Sequence, residues 1–243
     1  MTTPSDLADA VLVTGAGRRV GLHLAQRLLG QGRSVIAHYR TWTEGVAQLQ
    51  REGALCVAGD LATDAGVDHL VASVRSAASS LRAVVHNASG FAATSPEAGE
   101  ALRQLDLFYA AHMRAPYALN RAFADLLARC SEKRSDIIHI TDIYADNPNP
   151  AFDVYCATKA GLQNLSLSFA KRLAPKVKVN VIQPGPILFK EWHGPQARKR
   201  VLEDTLLGEE GGVEAIGLAV EAILANDYQT GAIVAVDGGR RLA

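Results

Sequence analysis

The segment Thr14-Gly15-Ala16-Gly17-Arg18-Arg19-Val20-Gly21 leaves a chain of this kind few folds to choose from. It follows an apolar run at 10–14 and leads straight into a stretch where Val20, Leu22, Leu24, Ala25, Leu28 and Leu29 recur at helical spacing. Gly30 and Gly32 then stop the helix, and a second apolar run occupies 34–39. Strand, glycine turn, amphipathic helix and strand make a βαβ unit. Glycine in such a turn lets backbone amides approach a pyrophosphate, which lies against the positive end of the helix dipole. A glycine cluster alone describes any tight turn; its place between a strand and a helix makes it a dinucleotide site.

The rhythm continues along the chain. Apolar runs at 54–59, 83–86, 136–141, 177–182 and 232–236 read as five more strands, and helical periodicity covers 44–52, 66–79, 104–129 and 154–173. Repeated alternation predicts a parallel sheet covered on both faces. The expected architecture is α/β: one Rossmann domain spanning 1–243, a doubly wound sheet of seven parallel strands with helices on both sides. No linker divides the chain. Only 184–212 breaks the pattern, with Pro184, Gly185, Pro186, Gly194 and Pro195 and a charged stretch after them, and it reads as an irregular lid over a site.

Lys and Arg total 25 against 25 Asp and Glu, so the formal charge is zero and a nucleic-acid partner, which would demand a basic excess, is not expected. A small molecule is. Cys56, Cys130 and Cys156 stand far apart, and His23, His69 and His193 show no ligand spacing, so no metal is expected. The opening residues lack a basic and an apolar segment, and no stretch of apolar residues is long enough to span a bilayer, which predicts a cytoplasmic protein without a membrane partner.

The end of the second strand discriminates between dinucleotides. A site for NAD generally places a carboxylate there for the ribose 2′-hydroxyl, whereas a 2′-phosphate requires positive charge. Here stand His38-Tyr39-Arg40-Thr41, in which Arg40 can grip a phosphate and Thr41 can donate a hydroxyl, so the expected cofactor is NADPH. Asp60-Leu61 ends the third strand, where the carboxylate suits either the adenine amino group or the cap of the next helix. Asn87-Ala88-Ser89 ends the fourth, with small residues suited to a ribose. Ligands of open α/β sheets lie beyond the carboxyl ends of the strands, so these segments converge on one crevice.

Tyr155 and Lys159 fall at i and i+4, one turn apart on a helical face. A phenol titrates near 10, and a neighbouring ammonium lowers it toward working pH, making it a usable proton donor.

Together the glycine turn, Asn87-Ala88-Ser89, Tyr155 with Lys159, Pro184-Gly185 and the terminal Asp237-Gly238-Gly239 resemble the short-chain dehydrogenase/reductase family across essentially the whole chain. The family's usual turn has Gly where this chain has Arg19. Arg19 followed by Val20-Gly21, the His38-Tyr39-Arg40 stretch, Ser89 and Asp142, which stands where most relatives carry the catalytic serine, resemble the pteridine reductases. So do 86–89, 136–139, 173–175 and 187–189, which are similar to bacterial pterin reductases that also accept dihydrofolate to some degree. The resemblance implies NADPH-dependent reduction of a 7,8-dihydropterin, dihydromonapterin, to the tetrahydropterin, with hydride going to C6 and a proton to N5. It implies catalytic roles for Tyr155, Lys159 and Asp142, with Asp142 as a turn cap the bland alternative. It implies cofactor contacts along Gly15, Gly17, Arg18, Arg19, Val20, the stretch 38–41, Asp60, Leu61, 87–89, Tyr155, Lys159, Pro184, Gly185 and Ile187. Arg19, Ser89, Phe91, Asp142 and Tyr155 are implied at the substrate, Phe91 as a ring stacked on the pterin or else a plain core residue. Arg19 is expected to reach both a cofactor phosphate and the pterin carbonyl.

One departure from the family stands out. Most short-chain reductases place an Asn four residues before the proline matching Pro116, where it serves the proton relay, and this chain has His112. Relatives are usually homotetramers pairing the helices that match 104–129 and 154–173. The alternatives are a reductase of ketones or 3-oxoacyl thioesters on the same scaffold, and an NADP(H)-sensing protein without turnover.

Overall fold

The computed structural model describes residues 7–191 and 193–243. The start of the chain, on which the absence of a leader was judged, and Trp192 within 184–212 lie outside the described residues. Seven parallel strands form one sheet: β1 (Ala10–Val13), β2 (Val35–Tyr39), β3 (Leu55–Ala58), β4 (Leu81–His86), β5 (Ser135–Ile140), β6 (Val177–Pro184) and β7 (Ile233–Val236), in the order β3-β2-β1-β4-β5-β6-β7. Each strand expected from sequence is present, shifted by at most two residues at either end. The order reverses between β1 and β4, so a crevice opens beyond their carboxyl ends.

Alternation along the strands decides which helix covers which face. Ala10 and Leu12 of β1 point to one core, with Ile36, Val84 and Ile137, against α3 (Asp64–Ala77), α5 (Ala115–Ala128) and α6 (Asp153–Leu173). Val11 and Val13 point to the other, with Val35, Val85 and Ile138, against α1 (Arg19–Gly30), α2 (Glu44–Arg51) and α8 (Gly212–Ala225). In α1 the buried set is Gly21, Leu24, Ala25 and Leu28, the i, i+3, i+4, i+7 stripe that a sheet-facing helix requires. A fully buried Leu such as Leu24 contributes about 2 kcal/mol, so both faces of the sheet are held by the same kind of burial.

Two expectations are corrected. The single helix at 104–129 is two: α4 (Ala98–Tyr109) and α5, joined by a turn of π-helix at Ala110–Arg114. Pro116 is the cause. It carries no N–H for the carbonyl of His112, and its ring crowds that carbonyl, so the helix widens by one residue just before it. The segment 184–212 is not irregular throughout, because it contains α7 (Pro195–Glu203), opened by Pro195 at a position where a helix needs no N–H. Its base is closed by Gly211 N–H to Pro186 O at 3.1 Å and Gly212 N–H to Ile187 O at 3.0 Å. Among the described residues, no helix is long and apolar enough to cross a membrane.

Candidate active site

The glycine turn is built for close approach. Gly15 has φ +67°, and a Cβ there would lie 2.9 Å from Ala88 Cα; a Cβ at Gly21 would lie 2.2 Å from Gly15 O. Both positions exclude any side chain. Thr14 Oγ1 accepts from Asn87 N–H and Ala88 N–H, each at 3.0 Å, and the Asn87 amide donates to Thr14 O at 2.9 Å and Gly15 O at 3.2 Å. Asn87 therefore welds the ends of β1 and β4 together and leaves its neighbours' backbone to line the crevice. The first turn of α1 has neither a side-chain cap nor an acidic residue, whereas α2 and α3 are capped by Thr43 and Thr63. Its amides and dipole end are left for an anion, and Arg18, Arg40 and Thr41 are exposed nearby in the fold's crevice loops. These residues fit a phosphorylated dinucleotide. Thr43, which the sequence did not single out, donates its hydroxyl to Gly17 O at 2.6 Å and so fixes the turn from α2.

His38 does not present charge to this crevice. Its ring is buried, Nδ1 accepts from Gly15 N–H at 3.2 Å, and Nε2 faces Gly59 O at 3.0 Å. Burial pulls its pKa down to about 4 against the opposing pull of Gly59 O and Asp60, so it is neutral and acts as a clasp between the glycine turn and β3. Tyr39 is half-buried with Trp42 at its edge, 5.6 Å away. The Asp60 carboxylate accepts from Ala62 N–H at 3.0 Å in the turn before α3, whose cap is Thr63 and not Asp60, while Leu61 is buried in the core.

Arg19 adopts φ +53°, the left-handed region that favours glycine. The conformation costs about 1 kcal/mol for a residue with a Cβ. Its guanidinium donates to Leu188 O at 2.6 Å and Phe189 O at 3.3 Å, which offsets that strain and ties the glycine turn to the 184–212 segment. In this structure Arg19 is thus a latch on that segment, and the expected reach to phosphate and pterin is taken up by these carbonyls. Ile187 is buried beneath the segment, and Pro184 and Gly185 are half-buried at the end of β6, where a Cβ on Gly185 would meet Asp237 Cα at 2.7 Å.

The catalytic candidates converge at the ends of β5 and α6. Tyr155 Oη donates to Asp142 Oδ2 at 2.8 Å, while Asp142 Oδ1 accepts from Tyr144 N–H at 2.9 Å. Asp142 both caps the turn at Ile143–Ala145 and accepts from the phenol. Lys159 Nζ donates to Ile140 O at 3.0 Å and lies 5.6 Å from the centre of the Tyr155 ring. The expected lowering of the phenol is overturned: burial first, then the charge and hydrogen bond of Asp142, raise the Tyr155 pKa well above 10, with Ser89 pulling weakly the other way. Lys159 is itself buried, and burial takes its pKa down to about 8 against the pull of Asp142. Asp142 is raised by burial, opposed by Tyr144 N–H, Tyr155 and Lys159. The phenol therefore keeps its proton throughout the neutral range.

Phe91 stacks on Phe152 at 4.6 Å and meets the edge of Tyr155 at 4.9 Å, and Lys190 Nζ lies 4.9 Å from its ring centre while donating to Phe91 O at 3.0 Å. It is seated in an aromatic cluster with its ring engaged. His112 projects inward from the π-turn between Ser89, Gly90 and Thr158, a position that no local pattern revealed. Another group missed in the sequence lies behind the site, where His86, Asn120, His139 and Ser166 form a buried chain of hydrogen bonds at 2.7, 3.1 and 2.9 Å. Among the described residues, no group of three or more His, Cys, Asp or Glu is arranged to hold a metal.

The short chain dehydrogenase family model matches residues 9–195. Over 233 residues the chain is 40% identical to the dihydromonapterin reductase of Klebsiella pneumoniae and 38% identical to that of an Enterobacter species, covering 96% of both chains in each case. Among solved structures it is similar to FolM alternative dihydrofolate reductase 1 from Brucella canis complexed with NADP, with TM-score 0.87, 28% identity, and 97% of this chain and 94% of that one covered. The Brucella suis counterpart in complex with NADP gives 0.86, 28%, 100% and 97%.

Proposed function

This chain belongs to the short chain dehydrogenase family, and from that membership and the chemistry of the cleft we propose that it reduces a 7,8-dihydropterin, dihydromonapterin, to the tetrahydropterin with NADPH. It is an NADPH-dependent oxidoreductase, with dihydrofolate a secondary substrate. The observation that carries the reading is the carboxylate of Asp142 set 2.8 Å from the Tyr155 hydroxyl. Reduction of a carbonyl develops negative charge on oxygen, which a carboxylate opposes. Reduction of the pterin C6–N5 double bond proceeds with protonation of nitrogen, and a carboxylate stabilises the resulting positive charge. The substitution thus favours an imine over a ketone or thioester.

When bound, NADPH supplies the hydride for C6. The chain's own residues do the rest. Backbone amides at Gly17 and the start of α1, with Arg18, hold the pyrophosphate, and Gly15 leaves room for its approach; Arg40 and Thr41 hold the 2′-phosphate; Asp60 and Leu61 line the adenine side, 87–89 a ribose, and Pro184, Gly185 and Ile187 the nicotinamide side. Lys159 orients the nicotinamide ribose, and Tyr155 with Asp142 delivers the proton to N5. Ser89 and Phe91 border the substrate, and stacking of the pterin on Phe91 requires the Lys190 ammonium to give way. The domain is single, with 184–212 as its lid. The exposed side chains of Leu102, Leu107, Tyr109 and Tyr117 along α4 and α5 support a homotetramer, since a second copy of the chain would cover them, and the cytoplasm is the proposed compartment.

Oxidation of NADPH followed at 340 nm tests the reading. Dihydromonapterin is expected to be turned over fastest, dihydrofolate more slowly, and an acetoacetyl thioester not measurably. Turnover of the thioester without the pterin would reject it.

A further inference from the structure

His112, one of the residues at which this chain departs from the family's usual pattern, joins the two halves of the substrate cleft. His112 is buried, with its ring between the 88–91 segment and α6. Gly90 N–H donates to Nε2 at 3.1 Å, so that nitrogen carries the lone pair. The ring proton then sits on Nδ1 and donates to Thr158 Oγ1 at 2.9 Å, whose own hydroxyl donates to Tyr155 O at 2.9 Å. Ser89 Oγ lies 3.1 Å from the same Nε2 and borders the Tyr155 hydroxyl. Phe108 stacks on one side of the imidazole at 5.1 Å, and Tyr155 meets it edge-on at 5.7 Å. All hydrogens in this chain run one way, from Gly90 through the imidazole to Thr158 and the backbone of Tyr155. The π-turn above Pro116 aims the ring inward, and the tie spans residues 90 and 158.

We propose that His112 is a positioning residue: as the Nδ1–H tautomer it fixes the Ser89–Gly90 segment at a set distance from Tyr155, and so governs productive binding of the pterin. The role differs from a water-ordering proton relay, because both ring nitrogens are engaged by protein groups. It also rests on the dihydropterin reading, and the test separates the two.

Asparagine places its amide where Nδ1 lies, and glutamine places its amide where Nε2 lies. His112→Asn therefore keeps the donor to Thr158 and loses the acceptor for Gly90, and His112→Gln does the reverse. The expected result is a KM for dihydromonapterin raised about tenfold in His112→Asn, the scale of one buried hydrogen bond, with kcat and the NADPH dissociation constant little changed. In His112→Gln the KM is expected to return to within about threefold of the parent. A relay role predicts the opposite order, since asparagine restores the family's residue; that order, or equal effects of the two variants, overturns the proposal. A second measurement needs neither substrate nor variant folding. Long-range 15N–1H spectra of the uniformly labelled parent protein, with the His112 ring told from His139 by its proximity to the Phe108 ring, should show His112 as the Nδ1–H tautomer with no titration near pH 6.5. Burial first, and then the charge of Lys159 on α6, lower its titration. An Nε2–H tautomer, or protonation near pH 6.5, overturns the tie whatever the substrate is. Failure of the parent enzyme to oxidise NADPH with any dihydropterin instead rejects the underlying reading.

Discussion

Lys159 offers the sharpest quantitative test of the site, because the cleft sets its charge inside the working pH range. Burial brings its pKa from 10.5 to about 8, a preference for the neutral amine of about 3 kcal/mol, even with the Asp142 carboxylate pulling the other way. About nine in ten ammonium groups are charged at pH 7 and about one in ten at pH 9. Since kcat/KM reports the free enzyme, its value for NADPH should fall with a midpoint near pH 8 and drop about tenfold per pH unit above it. Tyr155 does not confuse the limb, because its own pKa lies well above 10. Asp142→Asn supplies the perturbation. The amide oxygen still accepts from Tyr144 N–H, so the turn survives, but the charge that raises Lys159 is gone, and the limb should move below pH 8. At neutral pH kcat should fall by about 10² or more, the usual contribution of a positioned proton-transfer group. The assay is a pH series of NADPH oxidation at subsaturating cofactor. A profile flat from pH 7 to 9.5, or a limb that moves upward in Asp142→Asn, would refute the reasoning.

Two further predictions concern the cofactor end and the fold. Arg40→Ala should weaken NADPH about tenfold, the lower end for a charge-assisted bond at an exposed site, and leave NADH within about twofold, as read by fluorescence titration of both; parallel losses would mean that Arg40 does not meet the 2′-phosphate. His38 and His86 are neutral in the folded protein, with pKa values pulled to about 4 by burial, and take up protons near 6.5 once unfolded. Their folded values are lowered, so their stabilisation is complete above pH 6.5 and lost as pH falls toward 4, at about 3 kcal/mol for each ring. Asp136 and Asp142, raised by burial, act in the opposite sense at the acid end. The urea midpoint should therefore decline from pH 6.5 to pH 5, and an unchanged midpoint would contradict the inward placement of these rings.

Much of this molecule was legible before any coordinates. Apolar runs located all seven strands: the five inner strands are buried on both faces and need a continuous run, and the half-exposed edge strands β3 and β7 are apolar in sequence as well; the stripe from Leu24 to Leu28 located α1 because one helical face must meet the sheet. The break at 110–114 was not legible as a pattern, although Pro116 signalled it: hydrophobic periodicity passes through a one-residue bulge, and only the missing N–H marks the place. The helix α7 was hidden by the Pro and Gly residues around it.

By itself the sequence determined the seven strands and the helices α1, α2, α3 and α6 among them, the glycine turn at the head of α1, and the phase that puts Tyr155 and Lys159 on one face, but not α7 or α8. These depend on residues within a turn or two of one another. Tertiary structure decided the rest: that His38 faces inward and is neutral, that Arg19 holds carbonyls 169 and 170 residues away, that Asp142 accepts from Tyr155, and that the phenol is raised where a neighbouring ammonium suggested lowering. The physical reason is the same in each case. Spacing along the chain records which face of an element is apolar, but the charge a group carries depends on how much water it loses and which distant partner replaces that water, and both are known only once the sheet has gathered its ends.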